Sequence, residues 1–99
     1  MIIASGQATV KPGALAKARE AMQAVIAATR KEAGCLFYSY GEDVSAPDSI
    51  IILEYWTDWA ALERHFTAPH MAAWMKTLGD IGVVSSDIRA AEAGETRKF

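Results

Sequence analysis

The sequence predicts an α+β protein of the ferredoxin-like plan, with the order β-α-β-β-α-β and one antiparallel sheet. Three observations predict it: an alternating apolar run at the amino terminus, a long amphipathic helix after it, and two β-rich runs joined by a short polar loop. The chain has 99 residues, which we interpret as a single domain over residues 1–99. Residues 92–99 are expected to form a loose tail.

The first two elements are predicted by a change in apolar period. Over residues 2–10 apolar and polar side chains alternate, which is typical of a strand with one buried face. The Lys-Pro-Gly segment at 11–13 ends this strand. From Ala14 to about Ala33 the apolar residues recur at helical spacing. Gly34 is expected to end the helix, because glycine adopts a left-handed conformation without strain.

The second half of the chain is predicted to hold a hairpin, a divided helix and a last strand. Thr57 or Asp58 should cap the first part of the helix. Pro69 divides it, since the residue before a proline avoids helical torsions. The predicted elements are strand 35–42, strand 50–56, a short helix ending near Phe66, a helix over 69–78 ended by Gly79, and a weak strand over 86–92.

Composition excludes several classes of protein. The net charge is −2, and no basic stripe is present to neutralise phosphates, so nucleic-acid binding is not expected. The single cysteine, Cys35, forbids an internal disulfide and favours a cytoplasmic protein. The first strand resembles neither a signal peptide nor a membrane span. Hydrophobic residues make up 52% of this small chain, which favours a homodimer that buries the excess apolar surface.

Four short motifs carry a resemblance that covers nearly the whole chain. The chain resembles the antibiotic biosynthesis monooxygenase family, particularly its quinol-monooxygenase-like members. The resemblance implies a dimeric α/β barrel, in which two sheets pack face to face and the last strand joins the interface. It also implies oxidation of a small phenolic or quinol compound with O₂ as co-substrate and no cofactor. The motifs are Gly34-Cys35-Leu36, Glu54-x-Trp56, Ala61-Leu62-x-x-His65-Phe66 and Pro69-His70.

Two other activities stay open on the same resemblance. The haem-degrading members use an asparagine on the first strand, a tryptophan on the short second helix and a histidine further along. Those positions fall near Gly6, on His65 and on Met75, and the chain contains no asparagine at all. Haem binding is therefore the less favoured alternative. The other is a non-catalytic barrel that binds a small hydrophobic ligand.

The two histidines are the candidate catalytic residues. Cofactor-free oxygenation needs a base near neutral pH, a donor for the developing negative charge and a dry cavity for a flat substrate. Histidine suits the first task, so His65 and His70 are the candidates. His65 lies three residues after Leu62 and is expected to line the space between helix and sheet. No third ligand suggests itself beside the histidines, so no metal site is predicted.

Aromatic side chains are expected to shape the substrate pocket, and one buried carboxylate needs a partner. Glu54 lies on the same strand face as Trp56, and Arg89 on the last strand is a candidate partner for it, within the chain or across a dimer. The predicted substrate-binding residues are Trp56, Tyr38, Trp74 and Phe66.

Overall fold

The computed structural model describes residues 1–99 and contains four strands and three helices. The sheet has the strand order β2-β3-β1-β4, and every neighbouring pair is antiparallel. This arrangement confirms the predicted ferredoxin-like plan with a divided second helix. None of the helices has the length and hydropathy needed to cross a bilayer. The elements are β1 (Ile2–Val10), α1 (Ala14–Thr29), β2 (Cys35–Glu42), β3 (Ser49–Trp56), α2 (Trp59–Phe66), α3 (Pro69–Ile81) and β4 (Val83–Glu92).

All three helices cover one face of the sheet, and the core lies between the two layers. The alternation in β1 places Ile2, Ala4, Ala8 and Val10 on the covered face, as the sequence predicts. The core has two parts. One joins α1 and α3 to the centre of the sheet, and the other joins α2 to the ends of β2 and β3. The first part contains Ala8, Ala18, Met22, Val25, Ile50, Ile52 and Trp74. The second part contains Ile2, Tyr38, Trp56, Ala61 and Leu62.

The end of α1 differs from the prediction. The helix stops at Thr29 rather than near Ala33, and a tight turn follows in which the Glu32 amide donates to the Thr29 carbonyl. Gly34 is left-handed, with φ 85°, but it leads into β2 instead of capping the helix. A Cβ on Gly34 would lie 2.6 Å from the Cβ of Ala61, so glycine here also allows α2 to approach. The turn aims the side chain of Glu32 toward the start of α3.

The boundaries of α2, α3 and β4 also differ from the predicted ones. Asp58, not Thr57, caps α2, and its side chain accepts a hydrogen bond from the Ala61 amide at 2.8 Å. α3 runs through Gly79 to Ile81, because Gly79 does not adopt a positive φ and the helix continues past it. The left-handed residue that ends α3 is Gly82, so β4 starts at Val83, three residues earlier than predicted.

The face of the sheet opposite the helices has no cover within this chain. Phe37 packs against Tyr55 there with ring centroids 5.3 Å apart, and Ile51 is also exposed. All ten residues of β4 are exposed as well. The chain therefore leaves an apolar sheet face and a strand edge open to solvent.

Candidate active site

A cavity of about 830 Å³ lies between the sheet and the pair α2–α3. Its floor includes Ala4 and Ala8 of β1, whose small side chains leave room beneath the helices. Its roof includes Leu62, Met71 and Trp74 from the two helices. Of the 23 lining residues, 17 are hydrophobic, so the cavity suits a largely apolar ligand.

His65 forms part of the cavity wall. The Asp58 cap sets where α2 begins, and seven residues later the helix turns His65 toward the sheet. The side chain is only 1% exposed and lies between two aromatic rings, with centroids 4.8 Å from Trp56 and 5.3 Å from Tyr38. Its Nδ1 atom lies 2.6 Å from an oxygen of Glu32. The expected position of His65, between helix and sheet, is the position observed.

His70 lies in the first turn of α3 and reaches the same carboxylate. Its Nε2 atom is 2.9 Å from Glu32 Oε2, the oxygen that also contacts His65. The His70 side chain is 23% exposed and does not line the cavity. The structure thus brings the two predicted histidines together, but only His65 borders the space in which a substrate would bind.

Glu32 is the functional candidate that sequence reasoning missed. Its partners lie 33 and 38 residues further along the chain. Local sequence patterns do not indicate contacts between residues so far apart in the chain. A carboxylate with two histidines is also a conceivable set of metal ligands, and the three groups lie within 4.8 Å of one another. The sequence suggested no third ligand beside the histidines, and the structure places Glu32 there; that the site holds no metal stays a prediction.

The distances around Glu32 are those of hydrogen bonds. Tetrahedral ligands at zinc, with bonds of roughly 2.0–2.1 Å, lie about 3.3 Å apart. The Glu32 oxygen is only 2.6 Å and 2.9 Å from the two ring nitrogens. Those separations match a carboxylate oxygen that accepts from two N–H groups. To bind zinc through this oxygen, the carboxylate would have to move away from both ring nitrogens.

Glu54 faces the cavity beside His65. The carboxyl is buried, and its Oε1 accepts a hydrogen bond from Trp56 Nε1 at 2.9 Å. Burial raises the pKa of Glu54, and nearby Glu32 raises it further, while the Trp56 hydrogen bond and the proximity of His65 lower it. Burial is the largest of these effects. Glu54 is therefore easier to protonate than an ordinary glutamate.

The predicted ion pair between Glu54 and Arg89 within the chain was wrong. Along β1, Ser5 pairs with Arg89 whereas Ala4 pairs with Glu54, so the two side chains project from opposite faces of the sheet. The guanidinium of Arg89 is 85% exposed and bonds Asp87 instead, with Nε 3.0 Å from Oδ1. A pairing across a dimer stays a prediction.

Two tyrosine hydroxyls lie in the cavity wall near this cluster. The hydroxyls of Tyr38 and Tyr40 are 2.5 Å apart and bond each other. Burial raises the pKa of Tyr40 to about 12 and raises the pKa of Tyr38 further. Both phenols therefore stay protonated at neutral pH and can donate hydrogen bonds. The period-two spacing of Tyr38 and Tyr40 places both on one strand face, and one of the two was expected to donate to a substrate oxygen.

The four aromatic residues predicted to bind substrate differ in where they lie relative to the cavity. Tyr38 and Trp74 line the cavity and are almost fully buried. Phe66 borders its mouth and is largely exposed. Trp56 is fully buried but does not line the cavity, because His65 packs between the indole and the open space. Its expected role as a pocket-lining residue was wrong, and its contacts are instead with Glu54 and His65.

The positions equivalent to the haem-degrading residues do not form a haem site. A Cβ on Gly6 would lie 2.1 Å from the Asp87 carbonyl oxygen, so the strand has no room for the asparagine that those enzymes carry there. Met75 is 59% exposed at the cavity rim. Neither residue offers what the haem-degrading set requires, which weakens the haem alternative.

Comparison with known proteins gives the same picture for the whole chain. The model of the family described as antibiotic biosynthesis monooxygenase matches residues 1–77. YgiN of Escherichia coli K12, a candidate quinol monooxygenase, is 34% identical over 71% of this chain and 74% of its own length. An uncharacterised protein of Synechocystis is 29% identical over 97% of this chain, which spans only 65% of that relative's length.

A solved structure agrees closely with the fold. The crystal structure of a candidate antibiotic biosynthesis monooxygenase from Deinococcus radiodurans superposes with a TM-score of 0.91 and 31% identity, covering 100% of this chain and 98% of the other. The chain belongs to the antibiotic biosynthesis monooxygenase family.

Proposed function

We propose that this protein is a cofactor-independent monooxygenase that oxidises a small phenolic or quinol compound with O₂. The observation that carries the proposal is the position of His65, a buried imidazole in the wall of a largely apolar cavity. The relationship to YgiN, whose name includes a quinol monooxygenase activity, supports the choice of substrate class. Membership of the family alone would not, since one fold serves many reactions.

The reaction starts with removal of a proton from a substrate hydroxyl by His65 Nε2. The resulting electron-rich anion passes an electron to O₂, and the two radicals combine to form a carbon–oxygen bond. Loss of water from the hydroperoxide then leaves a hydroxyquinone, so that quinol and O₂ give hydroxyquinone and water. His65 returns its proton to the departing oxygen, and no external reductant is consumed.

The surrounding side chains support this sequence of steps. One tyrosine hydroxyl donates to the other, and the remaining phenol proton donates a hydrogen bond to negative charge that develops on the substrate. The apolar lining from Trp74, Met71 and Leu62 holds a flat ring and keeps water away from the anion.

The proposal includes a cytoplasmic homodimer. The uncovered sheet face around Phe37, Ile51 and Tyr55, together with the exposed strand β4, offers the apolar surface that a second copy would bury. The second sheet would complete a barrel without covering the cavity, which lies on the opposite face of the sheet.

Oxygen uptake by metal-free protein tests the proposed reaction. Chelator-treated protein is incubated with 1,4-naphthohydroquinone, and uptake is corrected for uncatalysed oxidation. Mass spectrometry after reaction under ¹⁸O₂ should show one labelled oxygen in the product. His65→Gln should lower the rate by about 10²-fold or more, the usual contribution of a general base. Arg64→Ala, which changes the exposed neighbour of His65 on α2, should leave it unchanged.

Two outcomes would contradict the proposal. Tight binding of the quinol without oxygen uptake would identify a non-catalytic ligand-binding barrel. Full activity of His65→Gln, with folding confirmed by its melting curve, would remove His65 from the reaction.

A further inference from the structure

We infer that Glu32 is the positioning residue of this site: its carboxylate, held in place by His70, keeps His65 protonated at Nδ1 with Nε2 free toward the cavity. The inference rests on the proposed function for its catalytic meaning. Its structural content can be tested without substrate.

The tautomer of His65 follows from the hydrogen-bond inventory. An ionised carboxylate oxygen only accepts hydrogen bonds. Glu32 Oε2 lies 2.6 Å from His65 Nδ1 and 2.9 Å from His70 Nε2, so each of these two nitrogens must carry a hydrogen. A neutral His65 with hydrogen on Nδ1 has its lone pair on Nε2. The carboxylate thereby selects which nitrogen of His65 can act as a base.

The lone pair of His65 Nε2 is left available by the surrounding structure. Nε2 has no hydrogen-bond partner within the chain. The ring is among the residues that line the cavity. The rings of Trp56 and Tyr38 limit rotation of the imidazole. Geometry therefore favours proton transfer between Nε2 and a ligand in the cavity.

His70 has a different role from His65. It comes from another helix, it is partly exposed and it does not border the cavity. Its contact with the shared oxygen anchors the carboxylate from the solvent side. This explains why two histidines from different helices converge on one glutamate. It also separates the two catalytic candidates, since His65 contacts substrate and His70 acts through Glu32.

Glu32 also compensates the charge that appears during the reaction. When Nε2 takes a proton, His65 becomes a cation whose Nδ1–H points at a carboxylate 2.6 Å away. Other titratable groups lie near the cluster from the sheet. Glu54 adds a second carboxyl whose burial disfavours ionisation, and Tyr38 and Cys35 stay neutral because burial raises the pKa of each. Glu32 is thus the main counter-charge for His65.

Nitrogen NMR of ¹⁵N-histidine-labelled protein tests the assignment directly. Long-range ¹H–¹⁵N spectra should show neutral His65 with hydrogen on Nδ1. In Glu32→Gln, whose amide can either accept or donate, the tautomer with hydrogen on Nε2 should become clearly populated. Glu63→Gln, an exposed glutamate on α2, is the matched control and should leave the His65 signals unchanged. Wild-type His65 with hydrogen on Nε2 would overturn the inference.

Zinc titration of the apo protein tests the competing use of the same three residues. The hydrogen-bonded assignment predicts no calorimetric binding of Zn²⁺ at micromolar concentration. Micromolar binding that is lost in both Glu32→Gln and His70→Gln would overturn it and identify a metal centre.

Kinetics then connect the tautomer to turnover. Glu32→Ala should lower kcat by on the order of 10²–10⁴-fold with little change in KM, as expected for loss of a residue that orients a catalytic imidazole. Added formate should restore part of the rate. His70→Gln should lose less than Glu32→Ala. Unchanged kcat in Glu32→Ala would overturn the inference. If wild-type protein has no turnover but the NMR result holds, the proposed function fails and the positioning role stands.

Discussion

Gly6 should be the least replaceable glycine of the sheet. An added Cβ would lie 2.1 Å from the Asp87 carbonyl oxygen and 2.5 Å from the Ile88 Cα, whereas ordinary contacts start at 3.4 Å. Both obstacles are backbone, so no side-chain rotation relieves them. In Gly6→Ala the strand β4 must move away by more than 1 Å, which breaks its central hydrogen bonds to β1. Losing two such bonds and straining the pairing should cost about 2–4 kcal/mol of the free energy of unfolding.

Urea unfolding measures this cost. Gly41→Ala is the matched control, because Gly41 is also a strand glycine but an added Cβ there meets nothing within 4 Å. That substitution should be neutral, or stabilising by up to about 1 kcal/mol, since alanine restricts the unfolded chain. Since Ile88 lines the cavity, Gly6→Ala should also weaken ligand binding. Equal stability of the two variants would refute the close approach of β4 to β1.

Three further substitutions test separate parts of the structure. Glu54→Gln keeps an acceptor for Trp56 and removes the ionisable group. Because the pKa of Glu54 is raised in the folded state, wild-type stability falls as the pH rises above the ordinary value of 4.5. Urea unfolding should therefore give the variant the higher free energy of unfolding at neutral pH, and this difference should vanish in acid. Asp58→Ala should lower the unfolding free energy by about 1 kcal/mol through loss of the α2 cap, and a change below about 0.3 kcal/mol would contradict the capping role. Ile51→Glu should shift the proposed dimer to monomer in light scattering, while Val44→Glu in the exposed β2–β3 loop should not; a dimer that survives Ile51→Glu would place the interface elsewhere.

The order of elements could be predicted because each one carries a strong local signal. Alternation in β1, helical spacing in α1 and the break at Pro69 each report the backbone nearby. The end of α1 could not, since the residues after Thr29 contain no strong helix breaker before Gly34. For α3 the sequence offers two glycines, Gly79 and Gly82, and only the torsions of the folded chain distinguish them.

The candidate site was predictable only in part. The spacing of His65 from Leu62 correctly placed it between helix and sheet. Glu32 was not predictable, because its role depends on a turn of unexpected position and on contacts across more than 30 residues. The error over Trp56 has a similar cause. Strand alternation predicts that its side chain faces the helices, but not that His65 separates it from the cavity.

The ionisation state of a bound phenol tests the central claim most directly, namely that His65 takes a proton from a ligand in the cavity. Metal-free protein is titrated anaerobically with 2-naphthol, a phenol without the second hydroxyl of a quinol, and the absorption spectrum of the bound ligand is recorded. The account predicts the naphtholate spectrum with wild-type protein and the neutral naphthol spectrum with His65→Gln. Neutral naphthol bound to wild-type protein, or naphtholate bound equally by both proteins, would contradict it.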